Sequence, residues 1–500
     1  MKKIIAGIFM SCFLLNVHAQ NQLDIYRYSN QSITGSARTL GLSGAWGAVG
    51  ADLSAASFNP AGLGLYRRND VMGALSITSN LSKTEYSNNF MSDSRTVFNI
   101  PNLGVAFNWL NQYKGRDQQV GVVSLTGAFG MNRINDFQSN IIYSGNNSNT
   151  SIANYLAKLA NGTDTSAINS IDYDNEPFAQ AWRAILIDNP GSPNTFKSIF
   201  ETMGDSLYTV RQGQSIQTRG RVNEWYVGGG MNISNLVYLG ASLVFEDVKF
   251  SREKSYNESV ISATHTDSFY NSMSMNEHLI SSGFGVGGKF GIIIRPVDFF
   301  RFGFSYQTPV RIRFLDSVTN TLTMNYNNGW APENYPGYSE YTRYEIVTPS
   351  RFGASAAVVL GKLAVIAADY EMVDYSEGRL QGTKDFNFDY SSRNNNNKAL
   401  YDMGRNYKIG AEIAAGFTRI RVGYALLGSP YNTSVISKTD GMKHLISAGF
   451  GWVYEGSYFF DFSVSDRIGK DILTPYEGNT LSATNTTHKL NFVIGGGYRF

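Results

Sequence analysis

Residues 488–500 read HKLNFVIGGGYRF, and their alternation decides how the rest of the chain is understood. Even positions carry Leu490, Phe492, Ile494, Tyr498 and Phe500, with Gly496 the exception, while Lys489, Asn491, Gly495 and Arg499 fall on the odd side. A period of two puts those sets on opposite faces of a strand, one apolar and one polar or small. A half-buried strand of a soluble sandwich would alternate in the same way, so the pattern alone leaves both classes open.

Working back from there, the same signature recurs over 70–82, 96–110, 120–133, 222–233, 236–250, 278–294, 299–315, 343–360, 363–375, 405–416, 418–427, 444–454 and 457–465, which with 488–500 makes fourteen strands. From the third strand onward the connections sort by parity. Long loops at 134–221, 251–277, 316–342, 376–404, 428–443 and 466–487 alternate with tight turns at Ser234-Asn235, Arg295-Pro296-Val297-Asp298, Gly361-Lys362, Phe417 and Glu455-Gly456. The earlier 83–95 and 111–119 loops are nearly equal and discriminate nothing. An even strand number with short turns at one rim and long loops at the other is the signature of an outer-membrane barrel. Closure also removes the exposed edges that so many strands would otherwise leave. The fold expected is therefore all-β, a 14-stranded antiparallel transmembrane barrel.

Composition agrees. The 500 residues include 50 Gly, 30 Tyr and 31 Phe against 16% charged residues and 12 Pro, a mixture that suits aromatic strands and turns better than helix bundles. A net charge of +2 without a basic run gives no sign of a nucleic-acid partner. Lys2 and Lys3, the apolar run Ile4 to Val17 and the small-residue site Val17-His18-Ala19 read as a secretory signal cleaved near Ala19. A membrane-anchoring helix is disfavoured by Ser11, Asn16 and His18, and a lipoprotein at Cys12 by the apolar run continuing through Leu15. Removal of that segment takes away Cys12, the one cysteine, and with it any thiol nucleophile, disulfide or Cys-based metal site. Mean hydropathy is −0.21 and no later segment has the length of a membrane helix, so spanning requires a barrel.

Aromatics gather near strand ends, at Trp109, Trp225, Trp452, Tyr454, Tyr458, Tyr498 and Phe500, where an interfacial girdle would want them. The loop after the third strand breaks the pattern with three helical spacings: Ile152, Tyr155, Leu156, Leu159; Phe178, Ala181, Trp182, Ile185, Leu186; and Phe196, Ile199, Phe200, Met203. Ser192-Pro193 is a fair cap and first residue for the third.

Before the first strand lies 36–65, SARTLGLSGAWGAVGADLSAASFNPAGLGL, rich in Gly, Ala and Ser and suited to packing inside something. Ala37-Arg38-Thr39-Leu40-Gly41, Gly44-Ala45, Asp52, Ala55-Ala56 and Asn59-Pro60-Ala61-Gly62-Leu63 resemble the N-terminal region of the FadL/TodX family of outer-membrane transporters. The overall plan, ending at Phe500, is also similar. The resemblance implies a monomeric barrel in the outer membrane of a Gram-negative bacterium. Residues 20–69 would form a hatch within the lumen of a 70–500 barrel, and 134–221 a long extracellular loop. It implies passive diffusion of hydrophobic small molecules such as long-chain fatty acids, with outer-membrane lipid around it. Hatch residues would include Asp52, Asn59, Pro60, Ala61 and Gly62, with Asp52 and Asn59 satisfying backbone donors. The alternative is a binding or shuttle barrel resembling PorV, which escorts secreted proteins at the cell surface.

A fatty-acid carboxylate would want a basic partner in the lumen. By parity Lys289 alternates with Phe290 and Ile292, and Arg311 and Arg313 with Val310, Ile312 and Phe314, so all three are expected to point inward. The plainer reading pairs them with lumen acids such as Asp369 and Glu371. No enzyme is expected. Gly283 to Gly288 satisfies G-x-G-x-x-G, but the strand runs on through Lys289 instead of opening a helix. His265, His278, His444 and His488 lack metal spacing, and no G-x-S-x-G elbow supports a hydrolase. No cofactor or metal is expected.

Overall fold

A strand in a membrane wall must have every main-chain group paired and one face apolar, and the chain meets both demands by closing on itself. The computed structural model describes residues 22–113, 116–169, 176–266, 269–327, 329, 340–384 and 388–500. The expected signal segment lies outside the described residues.

Fourteen antiparallel strands make the wall: β1 (Asp70–Tyr86), β2 (Asn89–Leu110), β3 (Val122–Asp136), β4 (Tyr208–Ile233), β5 (Val237–Ala263), β6 (Tyr270–Val297), β7 (Phe300–Gln307 and Arg311–Tyr326), β8 (Glu340–Val347 and Arg351–Leu360), β9 (Ala364–Asp374), β10 (Met403–Ala415), β11 (Thr418–Leu427), β12 (Lys443–Tyr454), β13 (Tyr458–Leu473) and β14 (Ala483–Arg499). Two short strands, Ser139–Asn147 against β4 and Arg379–Gly382 against β8, extend the outer rim. Pairing of β1 with β14, from Asp70↔Arg499 to Glu85↔Thr484, closes the barrel.

From β3 onward the parity of the connections holds, with the tight turns close to where expected, whereas the 83–95 loop is reduced to the two-residue turn Ser87-Asn88. The loops are shorter than expected, because strands continue into them. β4, β5 and β6 have 26, 27 and 28 residues. At roughly 3.3 Å per residue and ~40° tilt they rise some 60–70 Å, against an apolar band of about 25 Å. The outer half of the wall stands in water, and a strand wetted on both faces has no apolar alternation to read. In the membrane half the outer face carries Leu490, Phe492, Ile494 and Tyr498 of β14, with Trp109, Trp225, Trp452, Tyr454 and Tyr458 exposed toward the rims.

The helical insertion forms α4 (Ile152–Ala160), α5 (Thr165–Ile168), α6 (Pro177–Arg183) and α7 (Ile199–Met203), after α1 (Gln22–Ser29), α2 (Ala37–Gly41) and α3 (Ala55–Phe58) of the N-terminal segment. Their apolar faces pack with Tyr256, Tyr270, Met273, Leu322 and Met324 of the rim as a cap. The third helix differs from expectation. It is capped by Ser198, whose reciprocal box with Glu201 satisfies two donors, and Phe196 lies before it.

Two wall strands that read as continuous are broken. Thr308-Pro309-Val310 interrupts β7 and Thr348-Pro349-Ser350 interrupts β8, while β9 stops at a 3-10 turn, Tyr375–Glu377, before Arg379–Gly382. Proline cannot donate to a ladder, so breaks of this kind occur at bulges. Here Gly287 and Gly288 of β6 face three residues of β7, since Lys289 pairs with Gln307 but Val286 with Arg311. The odd residue inverts which side chains face in.

Candidate functional site

The N-terminal segment occupies the lumen, and its polar residues first serve its own folding. Asp52 accepts the Ser36 hydroxyl at 2.9 Å and the Ser54 amide at 2.8 Å. Asn59 caps the 3-10 turn Pro60–Leu65, accepting the Ala61 amide at 3.1 Å, and donates to the Gly47 carbonyl at 2.8 Å. Pro60 starts that turn, and the Gly62 carbonyl accepts the Ala51 amide at 3.0 Å.

The segment is then tied to the wall on several sides. Asp369 of β9 accepts the Trp46 and Gly47 amides at 3.0 and 2.8 Å. Arg38 reaches Glu412 of β10 at 3.1–3.2 Å; Arg421 of β11 joins that carboxylate at 2.6 Å and Asp461 of β13 at 2.5 Å. Ser57 donates to Glu224 of β4 at 2.6 Å. Facing the segment, two strand glycines are required by close approach: a Cβ on Gly240 would overlap the Pro60 backbone, and one on Gly291 the Asn59 amide.

Above this plug is a small cavity of about 60 Å³, lined in part by Gln31, Ser57, Lys289, Gln307, Arg351 and Lys408. Lys289 faces inward as expected. Its ammonium is buried 2.6 Å from Glu224 and 3.1 Å from the Ser57 carbonyl. Arg351 and Lys408 share Glu371 at 3.1 and 3.4 Å. These last two cations lay within the strands assigned from sequence, but nothing there singled them out over other lumen charges.

Arg311 and Arg313 correct the sequence expectation. They lie on the outer face, 58% and 78% exposed, both bound to Glu345 at 3.2 and 2.9 Å, while Ile312 and Phe314 are buried inside. The cause is the break at Pro309, which inverts the phase of β7 beyond it. β8 inverts at the same level, turning Tyr344 and Ile346 inward, and Leu380 is buried beyond the break after β9. The upper lumen is consequently apolar, joining these residues with Val222, Val248, Phe250 and Leu279 around Ile25 and Tyr28 of α1.

The ladder is also open between β2 and β3. β2 pairs with β3 only from Asn102↔Asn132 to Leu110↔Ser124, and beyond a bulge at Ile100-Pro101 residues 89–99 of β2 pair with β1 alone. Side chains bridge that seam, with Arg95 donating to the Gln138 side chain at 2.7 Å and Asn80 to its carbonyl at 2.9 Å.

In overall fold the chain is similar to a FadL homologue of Pseudomonas aeruginosa, with a TM-score of 0.53 and 12% identity over 94% of this chain and 100% of that one. It is similar also to the toluene transporter TodX of Pseudomonas putida, with a TM-score of 0.51 and 12% identity over 94% and 99%. No family model matches the sequence, and no curated protein matches it significantly. The likeness is one of fold: a closed 14-stranded barrel with a helical N-terminal segment.

Proposed function

We propose that the chain is an outer-membrane transporter that passes hydrophobic small molecules, long-chain fatty acids among them, by passive diffusion. The observation that carries this reading is the apolar lining that the phase inversion of β7 and β8 gives the upper lumen, packed around Ile25 and Tyr28 of α1. An ordinary barrel interior is polar, and a wall of Ile312, Phe314, Tyr344 and Ile346 is suited to receiving a desolvated apolar solute from the outer surface once α1 shifts aside. Residues 20–69 act as the hatch, with α1 inside that apolar lining and 36–65 below it, and the cations Lys289, Arg351 and Lys408 offer a carboxylate head group partners in exchange for Glu224 and Glu371. The interrupted β2–β3 ladder is the candidate exit sideways into lipid. Arg311 and Arg313 have no part in this route. The protein works as a monomer in this reading, because the route lies within one barrel.

Uptake of radiolabelled oleate by cells lacking the gene, with and without the plasmid-borne chain, tests the proposal. Restored uptake in the complemented strain is expected; equal uptake by both would refute it.

A further inference from the structure

The outer face of the wall changes character at the level of Pro309 and Pro349. Below the two breaks, an apolar hollow of about 510 Å³ faces the lipid across β6, β7, β8 and β9. Phe290, Tyr306, Phe352 and Met372 stand in one outward row, and in the next Phe304 and Tyr370 flank Ala354. A methyl group between two rings leaves the floor of the hollow low.

Above the breaks the same face is cationic. Arg311 and Arg313 share Glu345 there, which neutralises one of the two charges. Arg379 lies in the row of Arg311, on the far side of Val347, and Arg343 lies beside Leu315, one row above Arg313. Both are exposed and make no ion pair or side-chain hydrogen bond among the described residues. Lys249 of β5 is exposed at the level of Arg343, in the row that runs through Leu315 and Ser282. Against these five cations the same rows of β5 to β8 carry two carboxylates, Glu345 and Asp247. Neighbouring cations without counter-ions repel one another, and an anion between them removes the penalty. Arginine forks match phosphate oxygens in pairs.

From Val286, which pairs with Arg311, down to Phe290 is four residues of β6, about 13 Å at ~3.3 Å each. One leaflet's hydrocarbon is ~15 Å deep, half of a ~30 Å core. A single occupant of both features therefore carries its anionic group at the membrane surface and an acyl chain directly beneath it. The phosphorylated glycolipid of the outer leaflet has that form. A free phosphate has no chain, and an ordinary phospholipid belongs to the inner leaflet, at the other rim.

We propose that Arg311, Arg313, Arg343 and Arg379, with the hollow beneath them, form a binding site for lipopolysaccharide, its phosphate on the arginines and one acyl chain in the hollow. The site is on the outside of the wall, so it rests on the barrel's place in the outer membrane and not on what passes through the lumen. It also gives Arg311 and Arg313, which stand outside the route through the barrel, a partner.

The test is fluorescence polarisation of dye-labelled lipid A titrated with the full mature chain in dodecyl maltoside micelles, for the native protein, R343Q/R379Q and A354F. The competitors are unlabelled diphosphoryl lipid A, its dephosphorylated form, phosphatidylglycerol and inorganic phosphate. Heat-modifiable electrophoretic mobility serves as the check that each barrel is folded. Diphosphoryl lipid A is expected to compete at least tenfold better than either other lipid. Affinity should fall at least fivefold in R343Q/R379Q, which breaks no ion pair, and at least threefold in A354F, which fills the hollow and leaves every charge in place. Phosphatidylglycerol competing equally well overturns the site in favour of a general attraction for anionic lipid, and inorganic phosphate competing equally well overturns it in favour of an ion site without the hollow. Unchanged affinity in either variant overturns the two-part site. None of these outcomes alters oleate uptake, on which the transport reading stands or falls.

Discussion

Single residues in this lumen are judged by what they already hold. Lys289 was legible as an inward cation, because its neighbours alternate without interruption through β6. Its buried pairing with Glu224 shows how little freedom it has. Removing one member of a buried pair costs about 3–5 kcal/mol, because the other is left uncompensated. Lys289→Met is expected to lose that much in urea unfolding from detergent micelles, and K289M/E224Q to recover most of it. In the aqueous cap, Asp205 is buried and accepts the Thr266, His265 and Thr264 amides at 2.7, 2.9 and 3.0 Å. Burial alone would push its carboxyl up, but the bonds from the Thr266 hydroxyl and amide and from His265 outweigh it and hold the value below the ordinary carboxylate range. A depressed folded value means the stabilisation is complete above the unfolded pKa of about 3.9 and is lost as pH falls through the folded value. Hydrogen-exchange protection of the Thr264–Thr266 amides should hold steady from neutrality down to about pH 4 and decline below that, and Asp205→Asn should flatten the decline.

At the scale of elements, the breaks in β7 and β8 explain both what could be read in the sequence and what could not. Alternation is a local signal, and it persists on each side of Pro309, so Arg311 and Arg313 alternate with apolar neighbours whichever face they occupy. Only the phase changes there. The two prolines within strand patterns were the available sign of it. The position of the arginines is then physically reasonable. A lipid-facing arginine costs about 2–4 kcal/mol at the bilayer midplane and close to nothing at the interface. β7 has run eleven residues from its inner turn when it reaches Arg311, about 36 Å of strand at ~3.3 Å each, which is the outer edge of the apolar band once tilt is allowed for. Single cysteines check the phase directly, because the one native cysteine, Cys12, lies in the expected signal segment. In intact cells R313C should react with a membrane-impermeant maleimide, and F314C, one residue on, should not. Reversed labelling would mean the strand is unbroken, and equal labelling that it is mobile. The helical cap was readable for a different reason: its spacings of three and four residues stand out against strands, although the capping box at Ser198 fixed the third start and Ser192-Pro193 did not.

For the whole molecule, the question is whether the N-terminal segment is a fixed plug or a gate, and the fit between segment and wall bears on it. The small residues from 36 to 65 make sense only with the strand glycines opposite them, a relation between parts hundreds of residues apart that no local pattern records. Gly240 and Gly291 allow the Asn59-Pro60 turn to lie against the wall, and a side chain there would compete with it for the same space. The ties to Asp369, Glu412 and Glu224 resist displacement from other sides. Gly240→Leu sets the two against each other, since bulk in a close-packed interior forces neighbours to move. If the segment is what blocks the lumen, G240L shifts it and opens a water-filled path. Cells carrying G240L should then become sensitive to a bulky hydrophilic antibiotic such as vancomycin, with the inhibitory concentration falling at least tenfold, as should cells with residues 36–65 deleted from a barrel that still assembles. Facilitated uptake of labelled oleate should at the same time lose its saturation, because solutes no longer need the apolar lining above the plug. Unchanged vancomycin resistance in the deletion would mean that the cap of α4–α7 closes the pore without the segment's help, and the gate would then have to be sought at the outer end of the barrel.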